Sequence, residues 1–236
     1  MSIDSRPIAL VTGATRGLGL AIARELGADH HVVVGGRDEA TVRRVVESLP
    51  AASAFVANLT DQDSLERAFA NFSATHDRLD VLVHNAGVAK RLSVASASRS
   101  HWQWMMETNV VAVAELTRIA LPMLRASRGM VLTINSGAGV RAYPGDAPYC
   151  ASKWALRAFT ECLREEERGR IRVCSIHPGR IDTDMQHQLH VDAGVTYNPA
   201  AHMPAEEVAR TVRLAVSLPE VMNIDELRVR TTEPKG

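Results

Sequence analysis

Short β-branched and apolar runs alternate with longer amphipathic stretches along this chain of 236 residues, and that rhythm narrows the possible folds more than any single residue does. Ile8 to Val11 precedes Leu18 to Leu26, Val32 to Val34 precedes Ala40 to Leu49, and Ala54 to Ala57 precedes Ser64 to Phe72. Val81 to His84 leads to a long helix expected from about Trp102 to Arg125. Met130 to Asn135 leads to one around Tyr149 to Glu167. Arg172 to Ile176 leads to one at Ala205 to Ser217, and Leu227 to Arg230 would form a seventh strand. Strands this apolar need cover on both faces, which predicts an α/β domain with a parallel sheet and helices packed on its two sides by right-handed crossovers. Ligands of such sheets collect beyond the carboxyl ends of the strands. With no fixed-period repeat and no low-complexity linker, residues 1–236 are expected to form one domain.

Two stretches after strand ends read as loops that frame a pocket: Gly137 to Pro148, and Arg180 to Pro204, taken as a mobile lid. Val140, Ala142, Tyr143 and Pro144 of the first, with Met185, Gln186, Leu189 and His190 of the second, are the expected pocket lining, and Arg141 and Arg180 leave an anionic substrate open.

Charge and composition exclude some functions. Lys and Arg total 27, as do Asp and Glu, so no broad field favours nucleic acid or an anionic membrane. No run reaches the ~18 apolar residues of a membrane span, and Val110 to Leu124 is interrupted by Glu115, Arg118 and Pro122. The opening residues carry no basic end followed by an apolar signal stretch, so a cytoplasmic location is the expectation. Cys150, Cys162 and Cys174 form no paired spacing and read as ordinary thiols. His187, His190 and His202 lack an accompanying carboxylate pattern, and no metal site is predicted from them.

After the first strand comes Thr12-Gly13-Ala14-Thr15-Arg16-Gly17-Leu18-Gly19, with a helix starting among the glycines. Glycines at that place permit a tight turn and close approach of backbone N–H groups to a pyrophosphate, while the helix N-terminus favours the anion. The second strand ends Val34-Gly35-Gly36-Arg37-Asp38, where Gly36 takes the place of an acidic ribose ligand. A carboxylate there would repel a 2′-phosphate. Arg37, helped by Arg16, would accept it, so NADP(H) is preferred over NAD(H), with Asp38 close enough to pair with Arg37 and weaken it.

Ser136 closes the fifth strand, Tyr149 lies thirteen positions later, and Lys153 follows Tyr149 by one helical turn. Only three lysines occur among the 27 cations, Lys90, Lys153 and Lys235. A cation about 5 Å from a phenol is worth roughly 3 kcal/mol to the phenolate at an effective dielectric near 20, which would make Tyr149 a usable proton donor and acceptor.

Together these segments resemble the short-chain dehydrogenase/reductase family. Its T-G-x-x-x-G-x-G motif is matched by Thr12 to Gly19, its N-A-G by Asn85-Ala86-Gly87 and its Y-x-x-x-K by Tyr149 to Lys153, with the Ser136 spacing and Pro178-Gly179 also in place. The resemblance runs from the first strand to the last. It implies a single-domain Rossmann fold with a doubly wound, seven-stranded parallel sheet, and an oxidoreductase moving hydride between NADP(H) and a carbonyl or secondary alcohol.

It also implies roles. Tyr149 would be the general acid or base, Ser136 would hydrogen-bond the substrate oxygen, Lys153 would lower the phenol pKa and hold the nicotinamide ribose, and Asn109 would anchor a relay water. The cofactor contacts implied are Gly13, Thr15, Arg16, Gly17, Leu18, Gly19, Arg37, Asn58, Leu59, Asn85, Ala86, Gly87, Tyr149, Lys153, Pro178, Gly179, Ile181 and Thr183. Asn58 stands where many members carry an adenine-binding aspartate, and His84 and His177 stand as departures before Asn85 and Pro178. The family commonly assembles as a homodimer or homotetramer through the long helix and the Tyr149 helix, where Trp102, Trp104, Met105 and Met106 are expected in packing or subunit contact. Two other functions use the same fold, a catalytically silent NADP(H)-binding sensor or scaffold and an isomerase or dehydratase.

Overall fold

Gly13 has a backbone φ of +62° and Gly17 one of +51°, and between them the chain turns from the first strand into the first helix. The computed structural model describes residues 6–232, so Lys235 and most of the leading polar segment lie outside them. Seven strands, β1 (Ile8–Val11), β2 (His31–Gly36), β3 (Ala52–Val56), β4 (Val81–His84), β5 (Met130–Ile134), β6 (Arg172–Pro178) and β7 (Glu226–Val229), form one sheet in the order β3-β2-β1-β4-β5-β6-β7. Every neighbouring pair is parallel. Strand order reverses between β1 and β4, which opens a crevice at their carboxyl ends.

Alternation along the strands builds two cores. Ala9 and Val11 of β1, Val81 and Val83 of β4, and Met130, Leu132 and Ile134 of β5 join α1 (Gly17–Leu26) and α8 (Ala205–Val216) on one face. Ile8, Leu10, Leu82 and Val131 point the other way, onto α3 (Gln62–Thr75), α5 (Ala112–Ser127) and α6 (Ala147–Glu166). This two-sided burial is why the strand runs carry no polar alternation.

The helices begin where local chemistry satisfies their free N–H groups. Asp38 accepts from Thr41 N at 2.8 Å to start α2 (Glu39–Glu47), and Asp61 accepts from Ser64 N at 2.7 Å to start α3. Arg16, the residue before α1, offers no capping side chain, so the first N–H groups of that helix are left for an anion.

The structure differs from the expected elements in two places. The single helix predicted from Trp102 to Arg125 is α4 (Arg99–Met106), a π-helical turn at Glu107–Val111, then α5. The interruption centres on Asn109, whose side chain is bound outside the helix (below), a type of π-bulge frequent at functional sites. The predicted lid also contains a helix, α7 (Asp184–Asp192), begun by Thr183 accepting from Gln186 N. The spacing Thr183-x-x-Gln186 is a capping signature embedded in a stretch of mixed polarity. No residue of α7 is buried, so it lies on the surface with one edge toward the crevice.

Candidate active site

The glycine loop is held from behind by the turn after β4. Asn85 Nδ2 donates to the carbonyls of Thr12 at 2.9 Å and Gly13 at 3.1 Å, and the Thr12 hydroxyl accepts from the backbone N–H groups of Asn85 and Ala86. The approach is close enough to forbid side chains. A Cβ on Gly19 would lie 2.1 Å from the Gly13 carbonyl oxygen and 2.4 Å from Asn85 Nδ2, and one on Gly36 would lie 2.6 Å from Val42. The resulting groove of about 430 Å³ is bordered by Gly13 and Thr15 to Gly19, by Gly36 and Arg37, by Asn58 and Leu59, by Asn85 to Gly87, and by Ile181 and Thr183.

Nearly all the cofactor contacts expected from the sequence therefore share one groove. Asp38 is spent on the start of α2, accepting from both N and Oγ1 of Thr41, so the expected pairing with Arg37 gives way to a helix cap. Arg16 lies 3.6 Å from Asp184, an exposed ion pair that links the glycine loop to α7. The Asn58 side-chain oxygen accepts from Thr60 and shapes the rim of the groove. Trp104, expected in packing or subunit contact, also borders it, whereas Met105 is buried.

The groove continues into a cleft of about 590 Å³ over the carboxyl ends of β4, β5 and β6, with Asn85, Gly87, Ile181 and Thr183 common to both. Ser136, Tyr149 and Lys153 line it together, as do Pro178 and Gly179. Of the expected substrate lining, Tyr143, Pro144, Met185, Gln186, Leu189 and His190 face the cleft, and Val140 and Ala142 do not. Arg180 lines it and Arg141 does not, its guanidinium lying instead 5.6 Å from the centre of the Tyr143 ring.

Electrostatics at Tyr149 depart from the sequence expectation. Burial pushes the phenol above its ordinary value of 10.0, the charges of Cys150 and Asp146 add to that, and its hydrogen bond with Ser136 opposes it. The Lys153 ammonium stands 5.9 Å from the ring centre and donates to the Ile134 carbonyl at 3.0 Å. Its own pKa is pushed down from 10.5 to about 8 by burial. The spacing predicts a cation lowering a phenol, but desolvation governs both groups because α6 packs them against the end of β5.

Asn109 lines neither cavity. It is 1% exposed, donates from Nδ2 to the Val88 carbonyl at 2.9 Å and to Ser152 Oγ at 3.0 Å, and accepts from Val88 N at 2.8 Å. It thus joins the turn after β4 to α6 directly behind Lys153. Asn135 does similar work unforeseen in the sequence: it accepts from Ser136 N at 2.8 Å and donates to the Lys153 carbonyl at 3.2 Å, tying serine and lysine segments together. Gly139 is the signal, since a Cβ there would come within 2.3 Å of Asn135 Oδ1.

The two histidine departures have structural partners. His84 is buried and within 2.8 Å of Thr117 Oγ1, whose proton goes to the Val113 carbonyl, so His84 Nε2 donates. Burial lowers its pKa to about 3. His177 Nδ1 donates to the Ser136 carbonyl at 3.3 Å, and burial lowers its pKa too, with the Glu226 charge and this bond opposing. In the α7 region His187, His190 and His202 gather around Tyr197 as stacked and edge-on rings. Among the described residues no group of histidine, cysteine and carboxylate side chains is arranged for a metal, and all three cysteines are unpaired. No helix there is long and apolar enough to cross a membrane.

The groove is suited to a dinucleotide on its own geometry: a cradle in which an added Cβ would collide, an uncapped helix N-terminus, and a cation at the end of β2. Comparison with known proteins agrees. A family model described as short chain dehydrogenase matches residues 7–194. Dehydrogenase/reductase SDR family member 11 of Bos taurus is 31% identical, covering 96% of each chain, and the 3-oxoacyl-(acyl-carrier-protein) reductase of Salmonella typhimurium is 34% identical, covering 92% of each. Among solved structures, actinorhodin polyketide ketoreductase with NADPH superposes with a TM-score of 0.88 at 28% identity over 98% of each chain. The closed form of serine dehydrogenase with NADP+ gives 0.85 at 28% identity over 94% of each. Motifs, sheet order and relatives over almost the full length agree, and the chain belongs to the short-chain dehydrogenase family of oxidoreductases.

Proposed function

We propose that the protein is an NADP(H)-dependent reductase of small carbonyl compounds, or in reverse a dehydrogenase of the corresponding alcohols. The carrying observation is that Ser136, Tyr149 and Lys153 line a cleft that opens into the glycine-rich groove. Relatives with NADPH or NADP+ bound at 28% identity support the cofactor, as does an Arg37 whose neighbouring carboxylate is occupied elsewhere.

When bound, the dihydronicotinamide supplies the hydride. Ser136 hydrogen-bonds the substrate oxygen. Tyr149, kept protonated by burial, gives its proton to that oxygen as charge develops there, and takes it back in the oxidation direction. Lys153 stays behind the phenol, held by Ile134, and binds the nicotinamide ribose. Lys153 then returns a proton to the phenol through a relay water that Asn109 would anchor. Gly13 to Gly19 and Asn85 to Gly87 hold the pyrophosphate and adenosine side, Arg37 the 2′-phosphate with Arg16, Asn58 and Leu59 the adenine, and Pro178, Gly179, Ile181 and Thr183 the nicotinamide amide. Residues 180–204 act as the lid of this one domain, the working unit is a homodimer or homotetramer, and the location is cytoplasmic.

Oxidation of NADPH and of NADH across a panel of ketones and aldehydes tests the reading. Turnover with NADPH preferred supports it. Tight NADPH binding with no oxidation in either direction would establish the silent sensor instead, and conversion without net cofactor oxidation would establish an isomerase or dehydratase.

A further inference from the structure

Although the whole chain is charge-balanced, the cleft is not. Above buried Lys153 its wall carries Lys90, Arg91, Arg180 and Arg230 against one carboxylate, Asp146. Asp146 lies 3.4 Å from Arg91 and also feels the charge of Arg180, so a single acid faces two guanidinium groups. Arg230, one residue past β7, is tethered by backbone oxygens: Nη1 donates to the His177 carbonyl at 2.5 Å and to the Val229 carbonyl at 2.7 Å. Neutral acceptors orient the guanidinium and leave its charge uncancelled. Its Nη2 overhangs Gly137, where a Cβ would come within 3.2 Å, and Gly137 directly follows Ser136. A fixed cation therefore sits beside the residue assigned to the substrate oxygen.

Resting on the reductase reading above, we propose that the substrate is a short oxo acid, or the matching hydroxy acid in reverse, with its carboxylate held by Arg230 and Arg180. A planar guanidinium pairs with a carboxylate through two parallel N–H donors, and a cleft walled by low-dielectric side chains concentrates an anion. In the reduction the NADPH hydride adds to the ketone carbon, the Tyr149 hydroxyl proton goes to the ketone oxygen, NADP+ remains and the carboxylate is unchanged. Arg16 and Arg37 border the far part of the dinucleotide groove, so the phosphates already have cations there.

The test uses two matched readouts on the full chain. Reduction of acetoacetate and of methyl acetoacetate by NADPH gives kcat/KM for an acid and its neutral ester, and calorimetry measures malonate binding to the enzyme loaded with NADP+. We expect acetoacetate to be favoured at least tenfold and malonate to bind. Arg230→Gln and Arg180→Gln should each remove about tenfold to a hundredfold of the acid's kcat/KM, the range of a hydrogen bond to a charged group. Both should leave the ester and the NADPH Kd within twofold, with Arg67→Gln on the exposed face of α3 as control. Arg230→Lys, which keeps the charge, should recover part of the loss and separates it from misfolding.

Equal use of acid and ester with no malonate bound overturns the proposal while leaving the reductase intact. Malonate binding that depends on Arg230 and Arg180, with neither carbonyl oxidising NADPH, supports the anion site and overturns the reductase. Loss of NADPH affinity in step with acid affinity overturns the proposal by assigning the cations to the cofactor.

Discussion

The Lys153 ammonium donates to the Ile134 carbonyl at 3.0 Å and stands 5.9 Å from the ring centre of Tyr149, one turn earlier on α6. The ammonium is thus anchored to the end of β5. The cost is a buried cation whose pKa falls from 10.5 to about 8. Between those values the unfolded chain holds a proton that the native protein has released, so rising pH favours the native state at this residue. In Lys153→Met that contribution is absent. Relative to wild type, the variant is expected to lose about 3 kcal/mol between pH 7 and pH 10.5 in the cofactor-free protein, measured by urea unfolding at both pH values. A pH-independent difference would show that the cation is not desolvated.

His84 gives a slope of the same sign in a more acidic window. Its folded pKa of about 3 lies below the unfolded 6.5, so its contribution is complete above pH 6.5 and is lost as the pH falls toward 3. At pH 4.5 about 3 kcal/mol should already be gone. His84→Asn should therefore be less stable than wild type at pH 7 and lose about that much less on acidification. Parallel acid curves for the two proteins would rule out a neutral buried imidazole.

Tyr149→Phe removes the exchangeable proton and keeps the ring. We expect NADPH affinity near wild type and turnover reduced by roughly a hundredfold or more. Fluorescence titration and steady-state rates separate the two effects, and undiminished turnover would remove Tyr149 as the acid.

Arg37→Ala should weaken NADPH binding by about 1.5–3 kcal/mol through loss of a charge-assisted contact and leave NADH nearly unchanged. Direct binding of both dinucleotides to both proteins decides it. Equal losses would assign Arg37 to packing at the end of β2.

Gly19→Ala places a methyl where the Gly13 carbonyl and Asn85 amide already sit, at 2.1 Å and 2.4 Å. Overpacking of that kind costs about 1–3 kcal/mol, and opening the loop should abolish detectable dinucleotide binding. Wild-type melting and binding in this variant would mean that the loop is not closely packed.

What was legible in the sequence were features with a local physical cause. Uniformly apolar strand runs required a sheet covered on both faces, and their alternation with amphipathic stretches required crossovers, hence seven parallel strands. Glycines placed between β1 and α1 required a close approach. Tyr149 and Lys153, one turn apart, had to share a helix face. Tertiary structure decided what depends on neighbours distant in sequence. Asp38 caps α2 and leaves Arg37, because a helix start had the stronger claim on its oxygens. Asn109 breaks the long helix because Val88 and Ser152 hold its side chain. Burial against β5 reverses the expected pKa shift of Tyr149, since desolvation depends on what surrounds a group and not on its spacing along a helix. Arg230 enters the cleft beside Gly137 only because β7 lies beside β6, a contact between segments some fifty residues apart that no local pattern encodes.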